Sequence, residues 1–141
     1  MQTLLENLYK QETTFGETDF SALCGHLGKH VNKRSFLVLY TNFSNMTSLN
    51  RQLVYLQQLA RQHRVLVVFF EDADLKEYIA GKSVTTEDYY RHVIAEKFAF
   101  EKRLIVSTLK QHGIYSLLTT PDKLSIDVIN KYLEMKSRQL L

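Results

Sequence analysis

Polar side chains that could bind a metal or act on a substrate follow two apolar runs of this sequence. The first run is Phe36–Tyr40 and the second is Val65–Phe70. The polar residues that come soon after these runs are Thr41, Asn42, Glu71, Asp72 and Asp74. In open parallel sheets, ligands bind beyond the carboxyl ends of the strands. The three carboxylates there could hold Mg²⁺ or work as general acid and base.

Two interpretations of these strand-end residues indicate different classes of protein. In the first, a small metal- or phosphate-dependent hydrolase uses Thr41, Asn42, Glu71 and Asp72. In the second, Asp72 or Asp74 caps the short helix that follows, and the other side chains are solvated. The second is favoured because the chain has neither a glycine-rich phosphate loop nor a G-x-S-x-G nucleophile motif. We therefore expect no catalytic residues and no cofactor.

A further candidate is the pair His26 and His30, which lie four residues apart on a predicted helix. That spacing lets two imidazoles share one metal ion. A structural zinc site needs four ligands, and only Cys24 lies nearby, at an offset from His26 that points it elsewhere. The two histidines are therefore predicted to be ordinary surface residues.

The overall charge and the cysteine content exclude several classes of function. The formal net charge is only +3, and lysines and arginines are scattered among carboxylates, so nucleic-acid binding is not expected. The single cysteine, Cys24, excludes an internal disulfide and suits a reducing compartment. The N-terminal segment is polar, and the apolar runs are too short to span a bilayer. We expect a cytoplasmic chain, with any membrane anchor of the parent protein in segments outside it.

Three short apolar runs predict the strands of the fold. The third run is Ile114–Leu118, and like the first two it is rich in β-branched and aromatic residues without polar alternation. Such runs are typical of strands buried on both faces, as in parallel sheets. Helical patterns separate the runs, which implies right-handed crossovers. The chain, residues 1–141, is predicted to be a single α/β domain with a three-stranded parallel sheet flanked by helices.

Capping residues and apolar periodicity predict where the helices begin and what they bury. The expected caps are Thr18 or Asp19, Thr47 or Ser48, Thr85 or Thr86, and Ser125. The longest helix runs from about Glu87 to Gln111, and Gly113 ends it. The residues expected to pack that helix on the sheet are Val93, Ile94, Phe98 and Ile105. The residues expected to form the core-facing side of the last helix are Ile126, Ile129, Tyr132 and Leu133.

Four groups of short stretches carry a resemblance to a known family. They are Glu17–Phe20 with Lys33–Phe43, Leu59–His63 with Val65–Asp72, Ile94–Lys97, and Ile129–Lys136 with Arg138. By their order and spacing, the segment from Phe15 to Leu141 resembles the bacterial domain-of-unknown-function family fifty-eight. Its members are von Willebrand factor A-like proteins often encoded beside MoxR-type AAA ATPases. The resemblance implies a partial Rossmann-like fold, the C-terminal half of a von Willebrand factor A-like domain.

The same resemblance implies a degenerate metal-ion-dependent adhesion site. Three loops form that site in von Willebrand factor A domains, and no Asp-x-Ser-x-Ser motif of the first loop is present here. The threonine of the second loop falls on Thr18. The aspartate of the third loop falls on Asn42, whose amide can ligate Mg²⁺ but adds no charge. We expect no metal at Thr18 and Asn42 in this chain, and Mg²⁺ only in a full-length domain.

The strand order of that family leaves one edge of the predicted sheet open. In von Willebrand factor A domains, the strand that corresponds to Phe36–Tyr40 has two neighbours. One corresponds to Val65–Phe70, and the other is the domain's first strand, which is missing here. An apolar strand with an unpaired edge invites pairing with another chain. We expect a homodimer that buries this edge, with coverage by an N-terminal helix bearing Leu4, Leu5 and Leu8 as the alternative.

The function expected from the sequence is non-enzymatic protein–protein interaction, as an adaptor or assembly module. The residues indicate an α/β module without catalytic equipment. The resemblance adds a MoxR-type AAA ATPase as the expected partner. The alternative is the hydrolase that would use the strand-end residues described above.

Overall fold

The structure is a computed structural model that describes residues 1–12, 16, 18–71, 73–81 and 84–141, without the side chains of Ala73, Asp74 and Lys76. These residues form six helices and three strands, and at least one helix separates each strand from the next. In chain order they are α1 (Gln2–Tyr9), α2 (Phe20–His30), β1 (Phe36–Tyr40), α3 (Met46–Gln62), β2 (Arg64–Phe70), α4 (Ala73–Ala80), α5 (Thr86–Gln111), β3 (Tyr115–Thr119) and α6 (Leu124–Ser137).

The three strands form one parallel sheet in the order β1-β2-β3. Phe36 pairs with Arg64 across the first ladder, and Leu66 pairs with Tyr115 across the second. This architecture confirms the predicted α/β fold class, and it is consistent with a partial Rossmann-like fold. Continuous apolar runs form these strands because helices cover both faces of the central strand.

One face of the sheet carries the main hydrophobic core. Alternate residues of a strand point to the same face, so Val65, Val67 and Phe69 of β2 lie beside Leu37 and Leu39 of β1. These side chains pack against α2, α3 and α5. The buried helical and loop members of this core are Phe20, Phe43, Leu49, Leu56, Leu59, Ile105, Leu109 and Ile114.

The opposite face of the sheet is covered by α6. Leu66 and Val68 of β2 are fully buried there, and so is Met135 of α6. Tyr132 of α6 reaches across to Phe36 of β1, with ring centroids 5.6 Å apart. Helix α6 lies against β3 and reaches β1 through the ring of Tyr132, so β1 is only partly covered on this face.

The helix caps confirm some of the sequence predictions and correct others. Asp19 caps α2 through the Ala22 N–H, and Thr85 caps α5 through the Asp88 N–H, as predicted. The cap of α3 is Asn45 rather than Thr47 or Ser48, and Ser48 completes its capping box from inside the helix. The prediction that Ser125 caps α6 is wrong, because α6 begins at Leu124 and no side chain caps it.

The predicted packing of α5 is right for one residue and wrong for three. Ile105 is fully buried, whereas Val93, Ile94 and Phe98 are 45%, 54% and 52% exposed. The helix has 26 residues, about 39 Å, while β3 has five, about 17 Å. Because the helix is more than twice as long as the strand, only its C-terminal half packs on the sheet, and its N-terminal half lies against α4.

The predicted buried face of α6 is also wrong, and the alternative in which α1 covers the edge of β1 is not seen. The four residues expected to be buried are exposed, namely Ile126, Ile129, Tyr132 and Leu133. Met135 is the residue of α6 that is buried instead. Leu4, Leu5 and Leu8 of α1 are exposed as well, and α1 packs on no other described helix or strand. Helix α1 therefore does not cover the edge of β1 in this structure.

Candidate functional site

A polar cleft lies at the carboxyl end of β1, where the sequence places its first candidate residues. The cleft has a volume of about 380 Å³. The residues that line it are Gly16, Thr18, Phe20, Thr41, Asn42, Phe43, Ser44, Ser48, Arg51 and Gln52. The structure thus brings Thr18, Thr41 and Asn42 together, although Thr18 is more than twenty residues from the other two in the chain.

The side chain of Asn42 is engaged by a lysine from α5. The Lys102 Nζ donates a hydrogen bond to Asn42 Oδ1. The same ammonium lies 5.9 Å from the centroid of the Phe69 ring. Burial among these groups lowers the pKa of Lys102 below its usual value. An ammonium at the amide oxygen competes with a metal for that ligand and repels a divalent cation, so the surroundings of Asn42 disfavour metal binding.

The acidic end of β2 does not join this cleft in the described residues. The Glu71 backbone N–H donates to the Thr119 carbonyl at 2.9 Å, so Glu71 follows the β2–β3 ladder. Asp72 and the side chain of Asp74 lie outside the described residues, and so does their predicted capping role. The hydrolase interpretation needs Thr41, Asn42 and Glu71 to act together, and Glu71 does not line the cleft that holds the other two.

The histidine pair of α2 has the geometry of a surface feature. The rings of His26 and His30 stack with centroids 4.2 Å apart, and both are exposed. The Cys24 Sγ donates to the Tyr55 carbonyl on α3, which turns it away from the histidines, and burial raises the pKa of its thiol. Among the residues described, no three His, Cys, Asp or Glu side chains cluster so that they could hold a metal ion.

The largest feature that the sequence analysis missed is an apolar surface on the N-terminal half of α5. Six large apolar side chains are exposed there by 45% or more. These residues, here called the α5 outer face, are Tyr89, Tyr90, Val93, Ile94, Phe98 and Phe100. Monomeric soluble proteins rarely expose large apolar patches, and where such patches occur they mark interaction sites. Two signals were missed. The helix is too long for Ile94 and Phe98 to reach the sheet, and Tyr90, Val93 and Phe100 point to a different side of the helix from buried Ile105.

A groove of about 550 Å³ runs beside this surface, between α4 and α5. Its lining residues are Ile79 of α4 and Glu96, Ala99, Phe100 and Arg103 of α5. Ring contacts help to hold the two helices together, with Tyr78 lying 6.4 Å from His92 between centroids. The α4–α5 pair therefore presents a shaped surface rather than an isolated helix.

The N-terminus of α5 is fixed by a capping box. The Thr85 Oγ1 accepts from the Asp88 N–H at 3.1 Å, and the Asp88 carboxylate accepts from the Thr85 N–H at 3.2 Å. Hydrogen bonding of the Asp88 carboxylate to the Thr85 side chain, and to a smaller extent to the backbone of Thr85 and Val84, holds the pKa of Asp88 below its usual value. Tyr78 of α4 donates to the Asp88 carbonyl at 3.2 Å. The box and this bond anchor the end of α5 that lies farthest from the sheet.

The edge of β1 is a second exposed feature. Thr41 N–H donates to Val68 O at 3.1 Å, and Ser35 O accepts from Arg64 N–H at 2.9 Å, so the odd-numbered residues of β1 bond to β2. The backbone groups of Phe36, Val38 and Tyr40 point to the other side. In the described part of the chain no strand pairs with that side. The strand is short, and only Tyr40 among its side chains is exposed.

Comparisons with known proteins add no relative to this description. The chain matches no protein-family model, no curated protein and no solved structure. None of the described helices is long and apolar enough to cross a membrane. The functional argument therefore depends on the chain's own surfaces.

Proposed function

We propose that this chain is a non-enzymatic protein-binding module whose binding surface is the α5 outer face. The observation that carries the proposal is the exposure of six large apolar side chains on one helix. Four of them are Tyr or Phe, and aromatic residues are enriched in protein interfaces. Solvating such a surface costs free energy that burial against a partner recovers.

Two features of the polar cleft support a binding module over the rival hydrolase. Lys102 engages Asn42, which weakens the cleft as a cation site. The carboxylate of Glu71 does not line the cleft that contains Thr41. Metal-dependent hydrolysis needs a bound cation and an acid or base within hydrogen-bond reach of the substrate. We accordingly propose that the chain uses no cofactor.

The resemblance of the sequence to the MoxR-associated family supports a MoxR-type AAA ATPase as a protein partner of this chain. The same resemblance supports the degenerate state of the Thr18 and Asn42 positions. The single cysteine, Cys24, supports the cytoplasm as the compartment in which the chain works. The small net charge supports a protein partner over a nucleic acid.

A photo-crosslinking experiment tests the proposed surface. A photoreactive phenylalanine analogue is placed at position 100 of the full chain and, as a matched control, at position 54. Val54 is as exposed as Phe100 but lies on the opposite side of α3 from its buried residues. We expect protein adducts, identified by mass spectrometry, from position 100 and few from position 54.

The outcomes of this experiment are separable. Equal labelling from both positions, or none from position 100, contradicts the proposal. An adduct with a MoxR-type ATPase supports the partner suggested by the resemblance. Mg²⁺-dependent phosphoester hydrolysis by the purified chain that is lost in Glu71→Gln would establish the hydrolase instead.

A further inference from the structure

Four large apolar residues of α5 and one lysine follow a heptad spacing on the side of the helix that faces solvent. Tyr90, Val93, Lys97, Phe100 and Leu104 recur at intervals of three, four, three and four residues. All five are exposed, and they are here called the α5 seam. Intervals of this kind place side chains in one line that packs against a second helix. The seam continues past the α5 outer face to Leu104. This residue belongs to the half of α5 that packs on the sheet, but its side chain is 40% exposed.

The charges beside the seam match a second α5 that runs in the opposite direction. When Lys97 is placed opposite the partner's Phe100, Val93 falls opposite the partner's Leu104. Glu96 comes just before the seam residue Lys97, and Arg103 comes just before Leu104. Residues at this position flank the seam on one side and form charge pairs with the other helix. In this register Glu96 faces the partner's Arg103, and by symmetry Arg103 faces the partner's Glu96. Both side chains are exposed on each copy.

The seam also disfavours the parallel arrangement. In a parallel pair each seam residue meets its own copy, which would place Lys97 against the partner's Lys97 in the middle of the interface. Like charges forced together across an interface are destabilising. In the antiparallel register, each Lys97 ammonium lies against the partner's Phe100 ring, where a cation is attracted to the ring face.

The exposed area is close to, and slightly below, that of a standard interface. A buried aromatic side chain removes about 150–250 Å² from water, and a standard interface takes about 800 Å² from each partner. Tyr89, Tyr90 and Phe100 are each about three-fifths exposed, and Val93, Ile94 and Leu104 are about half exposed. Together these residues offer on the order of 700 Å² per copy.

We infer that two copies of this chain associate through an antiparallel pair of α5 helices, with Lys97 of each copy against the partner's Phe100. The inference rests on the proposed function, because it assigns a partner to the same surface. It places the interface on α5 rather than on the open edge of β1. The projecting half of each α5 then lies along the sheet-packed half of the other.

Light scattering on a sizing column at about 100 µM tests the association. We expect a dimer for the full chain and for Val54→Glu, which adds a charge to an exposed residue outside the seam. Phe100→Glu should be monomeric and, by circular dichroism, folded. Val38→Lys, which changes the edge strand β1, should remain dimeric if it folds.

Charge reversal tests the register and does not depend on Phe100→Glu folding. Glu96→Arg alone and Arg103→Glu alone each create two repulsive pairs, so the dissociation constant should rise roughly tenfold. The double variant restores two attractive pairs, and its dissociation constant should return close to that of the unchanged chain. Failure of the double variant to recover would overturn the register.

Two further results would overturn the inference itself. One is a strictly monomeric chain at about 100 µM. The other is a dimer that survives Phe100→Glu and is lost in folded Val38→Lys, which would place the interface on the β1 edge. If the chain is monomeric while position 100 still crosslinks to a different protein, the second copy is excluded as partner and the proposed function stands.

Discussion

The two halves of α5 differ in burial although both are rich in apolar residues. Ile105 in the C-terminal half is fully buried, whereas Ile94 in the N-terminal half is 54% exposed. Ile105 and Leu109 of the C-terminal half lie in the main core. The N-terminal half contacts α4 through Tyr78, which donates to the Asp88 carbonyl and packs against His92. Residue type is the same in the two cases, so the difference comes from what lies opposite each residue.

This difference separates stability from binding within one helix. The sheet-packed half contributes to the hydrophobic core and thus to the free energy of unfolding. The projecting half contributes little to folding and leaves its apolar side chains available to a partner. Substitutions in the two halves should therefore change different measured quantities.

The largest expected effect is on stability, at the buried isoleucine. Ile105→Ala should lower the free energy of unfolding by about 2–5 kcal/mol, because it leaves a cavity in a packed core. Ile94→Ala is the matched control and should cost less than about 1 kcal/mol. Urea denaturation at low protein concentration measures both without a contribution from self-association. Equal losses in the two variants would mean that the halves do not differ as described.

A smaller effect is expected at the cap of the projecting half. Thr85→Ala removes the acceptor of the Asp88 N–H and should lower the free energy of unfolding by about 1 kcal/mol. Thr85→Ser keeps a hydroxyl and should retain most of the stability. Thermal unfolding of the three proteins gives the comparison. No loss in Thr85→Ala would show that the projecting half unfolds independently of the core.

The capping box should also give a small dependence of stability on pH. The pKa of Asp88 is lower in the folded chain than its usual value, chiefly through the bond to Thr85. The stabilising contribution is therefore complete above the unfolded pKa of about 3.9 and is lost as the pH falls through the folded pKa. Asp88→Asn should melt at a lower temperature than the unchanged chain at neutral pH. The difference between the two melting temperatures should become smaller as the pH falls below about 3.9.

The smallest expected effect is at the cleft, where α5 meets the end of β1. Calorimetry with millimolar Mg²⁺ should show no binding, because Lys102 engages the Asn42 amide. Asn42→Asp should bind Mg²⁺ no worse, since it restores a charged ligand, and adding Lys102→Met should improve binding by removing the competing ammonium. Micromolar binding by the unchanged chain that Asn42→Ala abolishes would contradict this prediction.

The local sequence determined the elements and their arrangement in the sheet. Continuous β-branched and aromatic runs gave the three strands, because only strands buried on both faces tolerate such runs. Asp19 and Thr85 were each one of two adjacent residues expected as caps, because short polar side chains satisfy the free N–H groups of a helix start. Gly113 was identified as a helix end, and its φ of 72° is a conformation that glycine adopts readily.

Only the tertiary structure decided which apolar residues are buried and which polar residues meet. Periodicity marks an apolar face of a helix but not what lies opposite it, so Ile94 and Phe98, which point in the same direction around the helix as Ile105, could not be separated from it. The contact of Lys102 with Asn42 joins residues sixty positions apart in the chain. A local sequence pattern does not predict contacts between residues so far apart. A helix of 26 residues over a strand of five leaves one half uncovered. That mismatch of lengths exposes Ile94 and Phe98, and together with the apolar residues on the solvent side of α5 it forms the surface to which we assign the function.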